Sequence, residues 1–191
     1  MLQNLNTIVK VGFLFLALMS VNTSAYGKED VSIYDMAVMN SEESLLLYFR
    51  MKDAFTEEME KGIDSGIPIT FTFYITLFQD KAGLAKKKII SFDFNHTFSY
   101  DTLKEEYSLK FDEQDERVIK VRDLQEAKSL MSEVNDLFIT DLASLKPDQQ
   151  YTIRTKVRLG KKILPLKFHY IIPFRNFLEF NTEWTELKFI R

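Results

Sequence analysis

Between residues 89 and 100 apolar and polar side chains alternate without a break. Ile90, Phe92, Phe94, His96, Phe98 and Tyr100 take one set of positions, and Ser91, Asp93, Asn95, Thr97 and Ser99 take the other. Successive side chains of a strand point to opposite faces, so this period of two predicts a strand with one apolar and one polar face. Tyr107, Leu109 and Phe111 alternate in the same way with Glu106, Ser108 and Lys110. In 150–160, Tyr151, Ile153, Thr155, Val157 and Leu159 are assigned inward, and Arg154, Lys156 and Arg158 outward. Residues 67–79 differ, forming a nearly continuous run (Ile67-Pro68-Ile69-Thr70-Phe71-Thr72-Phe73-Tyr74-Ile75-Thr76-Leu77-Phe78) that suits a central strand covered on both faces.

Weaker patterns complete the chain. Residues 31–39 and 44–51 read as a hairpin around Met39-Asn40-Ser41-Glu42-Glu43. Phe55, Met59 and Ile63 recur at helical spacing, with Gly62 or Gly66 able to end the helix and Pro68 preventing its continuation. The turn Asp112–Glu116 leads to a strand at 117–121. Asp123-x-x-Glu126 then has the spacing of a capping box, ahead of a stripe of Leu124, Ala127, Leu130, Met131 and Val134. Further strands are expected at 137–144, 163–172 and about 176–189. Short strands in this number with two modest helices predict a mainly β fold, an antiparallel two-sheet sandwich, immunoglobulin-like or closing into a partial barrel.

Composition agrees with a packed domain: of 191 residues 46% are hydrophobic and 28% charged, with 17 Phe, 8 Tyr and only 6 Gly and 4 Pro. The first 27 residues have the layout of a secretory signal peptide. Lys10 precedes the apolar run Val11–Met19, and small residues at Ala25 and Gly27 precede a cleavage site after Gly27. The run is shorter than the roughly 20 residues that span a bilayer, so a periplasmic domain of residues 28–191 is expected, with an uncleaved inner-membrane anchor as the alternative. With no Cys there is neither a lipid attachment site nor a disulfide. A formal charge of −3 argues against nucleic acid as a partner, because phosphate binding needs a basic face.

Several local sequences, in their order, point to a known family. They are Gly66-Ile67-Pro68 after a helix and before an aromatic strand, then Phe98-Ser99-Tyr100-Asp101-Thr102-Leu103-Lys104-Glu105-Glu106-Tyr107, then a capped helix. The strand from Tyr151 to Leu159, the step Leu164-Pro165-Leu166 and Trp184 near the C-terminus follow. The chain resembles the bacterial exported family known as domain of unknown function 4390 over most of residues 31–191. The resemblance implies a small exported protein of a Gram-negative bacterium, some members being encoded beside a two-component sensor kinase. It brings no reaction and no functional residues.

Catalytic chemistry finds little support. His96 and His169 are the only imidazoles. His96 lies in the apolar register of its strand with Asp93 on the opposite face, and His169 alternates away from Phe168 and Tyr170, so one half-buried and one surface histidine are expected. No Cys or His cluster offers metal ligands, no Gly-x-Ser-x-Gly elbow presents a nucleophile, and the few glycines cannot cradle a phosphate. Carboxylate neighbours such as Glu42/Glu43, Glu57/Glu58 and Glu105/Glu106 look like surface charges, and a hydrolase ranks last. No metal, no cofactor and no enzyme activity are expected.

Two functional surfaces remain. The Phe and Tyr load could line a cavity for a small apolar ligand, though core filling explains it more simply. The basic row Arg154, Lys156 and Arg158 continues into Lys161 and Lys162, and Lys86-Lys87-Lys88 forms a second cluster. The simplest reading of the row is a charged edge strand that resists sheet-to-sheet pairing; the functional one is a dock for an envelope protein or an anionic envelope surface. The leading expectation is therefore a non-catalytic interaction module, with the sensor kinase as a partner implied by the resemblance alone and an apolar-ligand carrier as the alternative. If the export signal is read correctly, the intact mass of periplasmic material will correspond to a chain starting at Lys28. A mass retaining Val11–Met19 would establish the anchor instead.

Overall fold

The computed structural model describes residues 31–81, 85–159 and 180–191. Their strands are β1 (Ser32–Asn40), β2 (Ser44–Lys52), β3 (Ile69–Asp80), β4 (Lys86–Asp101), β5 (Glu106–Phe111), β6 (Arg117–Val121), β7 (Glu133–Asp141), β8 (Gln150–Leu159), β9 (Phe180–Asn181) and β10 (Thr185–Ile190). Helix α1 (Glu57–Asp64) joins β2 to β3, and α2 (Leu124–Ser132) joins β6 to β7. The expected strand at 163–172 lies outside the described residues, as do residues 176–179 of the one expected at about 176–189, whose described part is broken at 182–184 into β9 and β10. No described helix is long and apolar enough to cross a membrane.

The strands form two antiparallel sheets, and neither closes into a barrel. The smaller has the order β1-β2-β7; the larger has the order β10-β8-β3-β4-β5-β6, with β9 also pairing β8. Each sheet turns its alternating apolar face inward. Leu45, Leu47 and Phe49 of β2 meet Phe71, Phe73, Ile75 and Leu77 of β3, all at or near zero exposure. Phe49 crosses between the layers to Phe73, with ring centroids 5.7 Å apart, and Phe73 stacks on Phe94 at 4.9 Å. Aromatic pairs at such distances add to the stabilisation that area burial alone provides.

The inner register of β4 is the one the alternation predicts: Phe94, His96 and Phe98 are buried. For β3 the outcome is different. It is central, between β4 and β8, but its second face carries Thr72 and Tyr74 only half-buried, and no described element covers it. The hydroxyls interleaved in the run are satisfied on that open face: Thr70 bonds Thr97 at 3.2 Å and Thr76 bonds Ser91 at 3.0 Å.

Local signals set the helix ends. The Thr56 hydroxyl accepts from the Met59 N–H at the start of α1, where Glu57, Glu58 and Glu60 also suit the positive end of the helix dipole. Gly66 ends it at φ +78°, with the Gly66 N–H bonded to the Ile63 carbonyl and the Ile67 N–H to the Gly62 carbonyl. In α2 the Asp123 carboxylate accepts from the Glu126 N–H at 2.7 Å. This helix stops before Val134, expected on its stripe, which instead begins the inner face of β7. Among the described residues seven non-glycine positions have positive φ, and all are acidic: Asp35, Asp53, Glu105, Asp115, Glu116, Asp136 and Asp148. In a glycine-poor chain Asp serves at such positions, because its short side chain tolerates the left-handed region better than most.

Phe94→Ala is expected to cost about 3–5 kcal/mol, since it empties a fully packed position in the core. Asn95, on the polar face, is not silent either, accepting from the Thr72 hydroxyl at 2.9 Å and donating to Asp112 at 2.9 Å. Asn95→Ala should cost about 1–2 kcal/mol. Urea unfolding of both variants separates the two faces, and equal midpoints would contradict the assigned register.

Candidate functional site: the outer face of the larger sheet

The basic strand β8 is not an edge. It pairs with β3 on one side and with β10 and β9 on the other. The short segments after residue 180 supply its second neighbour, which a local pattern could not reveal. A protective edge therefore does not account for its cations. Tyr151, Ile153, Thr155, Val157 and Leu159 point inward as expected, and Arg154, Lys156 and Arg158 point outward opposite Thr76, Tyr74 and Thr72 of β3.

On that face cations alternate with aromatic rings. The Arg154 guanidinium lies 5.0 Å from the Trp184 ring and the Lys156 ammonium 5.8 Å from the same ring, while Arg158 lies 5.7 Å from the ring of Tyr74. Such contacts hold a cation in place without neutralising it. Trp184, here a platform for two cations, stood out in the sequence only as a family marker; its role needed β10 to be placed beside β8.

The second basic cluster joins the first. Leu77 pairs with Ile90, but Phe78 pairs with Lys88 and Asp80 with Lys86, so β4 bulges at Ile89 and its alternation reverses. Lys86 and Lys88 thereby share the outer face with Arg154, Lys156 and Arg158. Glu186 links the clusters, 3.3 Å from Lys86 and 3.0 Å from Arg154. Lys188 faces the same way, opposite Thr152. Against Lys86, Lys88, Arg154, Lys156, Arg158 and Lys188 this half of the face sets only Asp80, Asp93 and Glu186, and Asp80 accepts from the Thr152 hydroxyl. Lys88, Lys156, Arg158 and Lys188 have no ion-pair partner among the described residues. Lys161 and Lys162, also expected to take part, lie outside those residues.

The other half of the face is electrically closed. Lys110 meets Asp112 and Glu116, and Lys120 meets Glu106 at 2.8 Å. The hydrogen bond from Lys120 holds the Glu106 carboxyl below the usual range and raises the ammonium in turn. Asp101 is likewise lowered, chiefly by the backbone N–H groups of Lys104 and Leu103.

His96, expected to be half-buried, is sealed. Its Nδ1 lies 3.3 Å from the Met131 carbonyl at the end of α2, and its Nε2 lies 2.8 Å from Glu113, whose side chain is 6% exposed. Phe73, Phe94 and Phe111 surround the ring. Asp93 points to the opposite face, as its register requires. The partner Glu113 comes from the short turn after β5, a contact with no sequence signature. The pair has the composition of an acid–base dyad but no exposed imidazole atom, and it ties β4, the turn and α2 together. His169 lies outside the described residues.

Elsewhere, the described residues form surface grooves of mixed lining, and the groove bounded by Val31, Ile33, Phe180 and Thr182 is more apolar than polar. Another, of about 570 Å³, lies between the end of α1 and the β4–β5 hairpin, lined by Ser65, Ser99, Tyr100, Asp101, Glu106 and Lys120 among others. Beneath it the Tyr107 hydroxyl donates to Asp64, and burial raises its pKa to about 12. Among the described residues no group of three or more His, Cys, Asp or Glu is placed to hold a metal ion.

The family model described as domain of unknown function (DUF4390) matches residues 28–188. No curated protein and no solved structure matches the chain.

Replacing His96 by Phe should destabilise the fold by about 3–5 kcal/mol, because Glu113 and the Met131 carbonyl lose their partner inside the protein. Glu113→Gln, whose amide can still donate to Nε2, should cost clearly less. Urea midpoints of the two variants test the assignment, and the reverse order would refute it.

Proposed function

The chain belongs to that family, whose description names no activity, and we propose that it is a non-catalytic interaction module of the cell envelope that docks through the cationic half of its larger sheet. The observation that carries this reading is convergence. Two basic clusters more than sixty residues apart in sequence occupy one rigid face, and only part of their charge is answered there. Unanswered surface cations repel one another modestly at physiological salt, so they are cheap to keep and available to an acidic surface. The placement of β8 inside the sheet removes edge protection as their explanation.

Packing supports this reading over an apolar-ligand carrier. Phe side chains of the core are in contact with one another: Phe49 packs on Phe73, Phe55 on Phe71 and Phe98, and Phe98 on Tyr107. Two surface grooves are lined largely by polar residues, whereas a carrier pocket is mostly apolar; a third, bounded by Val31, Ile33 and Phe180, is more apolar but opens to solvent beside Ser32, Asn181, Thr182 and Glu183. Export through residues 1–27 belongs to the same proposal.

A photo-crosslinker at Ser91, on the cationic face, should capture envelope material in cells, whereas one at Phe138, exposed on the smaller sheet, should not. Combining the Ser91 probe with Lys88→Gln, Lys156→Gln and Arg158→Gln should reduce the capture strongly. Equal capture at both positions, or capture indifferent to the three substitutions, would refute docking through this face.

A further inference from the structure

We infer that the occupant of the cationic face is an anionic phospholipid surface, with Trp184 and Ile190 entering the lipid interface beside the cations. This rests on the docking reading above and specifies its partner. The edge strand β10 carries the observation. Its outward residues Glu186, Lys188 and Ile190 face the same way as Arg154, and Ile190 is 74% exposed, while Trp184 is 38% exposed where β10 begins. At about 3.3 Å per residue the two apolar side chains stand roughly 20 Å apart along one margin of the basic patch.

Cations alone would suit any acidic partner. Cations bordered by a tryptophan and a bare isoleucine are the combination that bilayer interfaces select. An indole sits at headgroup level with its ring partly buried. Lysine and arginine gain from the negative surface potential within a Debye length. Lys156 and Arg154 stack on Trp184 itself, so the indole and the charges would reach the headgroups together. An acidic protein gives no reason for Ile190 to be left in water at the margin of a charged patch.

Trp184 is the single tryptophan of the chain, so its fluorescence reports on this face and nothing else. The full chain is titrated with vesicles of phosphatidylcholine alone and of phosphatidylcholine mixed with phosphatidylglycerol, at low and high salt. The anionic vesicles should shift Trp184 emission to the blue, neutral vesicles should not, and salt should reverse the shift. Replacing Lys88, Lys156 and Arg158 by Gln should weaken binding about a hundredfold, taking roughly fivefold per cation. Ile190→Ser should weaken it without changing the salt dependence. Both variants must keep the wild-type urea midpoint within error, which surface substitutions of this kind permit. Vesicle binding without a change at Trp184 would mean attachment through another part of the chain and would overturn the inference, as would the absence of any response. If vesicles give no response but Ser91 still captures a protein in a Lys156- and Arg158-dependent manner, the docking reading stands and the lipid assignment falls. If neither occurs, both fall.

Discussion

Phe71, Phe73, Ile75 and Leu77 have no exposed surface on the inner side of β3, and the position of nearly every functional candidate follows from that. A strand whose odd-numbered positions are locked into the core must present its even-numbered positions outward, because a slip of one residue would exchange the two sets. Tyr74 and Thr72 are thus held opposite Lys156 and Arg158, and the rings between the layers keep β3 and β8 from shifting. The cationic face is rigid because its reverse side is packed. This also explains how the domain does without disulfides: aromatic side chains bury a large apolar area each.

The devices that shape the sheets are local and inexpensive in glycine. Acidic residues occupy the left-handed positions of turns and bulges, among them Asp35 in β1 and Asp136 in β7, the two edge strands of the smaller sheet. Bulges at edges interrupt the row of free backbone groups that would otherwise invite pairing with another chain. The bulge at Ile89 acts differently. By reversing the alternation of β4 it moves Lys86 and Lys88 to the face that β8 already makes basic, and so changes the electrostatics of the whole sheet.

The two histidine-related and lysine-related features of the chain end up with opposite roles. His96, the residue type most often catalytic, is enclosed by three phenyl rings and spends both nitrogens on internal partners. The lysines and arginines, the residue types most often dismissed as solubilising surface, are gathered by the fold and set against tryptophan and tyrosine. The cationic face proposed for docking is thus built from ordinary surface charges that the fold brings together.

The amino-acid sequence by itself determined most of the described strands, the inner faces of β4, β5 and β8 and the cap of α2. The alternation around Phe94, the Asp123 cap and the stop at Gly66 act within a few residues and are visible there. The tertiary structure alone decided which strands became neighbours. That β8 is interior, that β4 bulges at Ile89, that Glu113 reaches His96 and that Trp184 lies under Arg154 all depend on contacts between residues far apart in the chain. Side-chain periodicity has no memory beyond its own strand. Pairing order, by contrast, is chosen by the packing of the two sheets together, so the fold class was legible in the sequence while the convergence of the cations on one face was not.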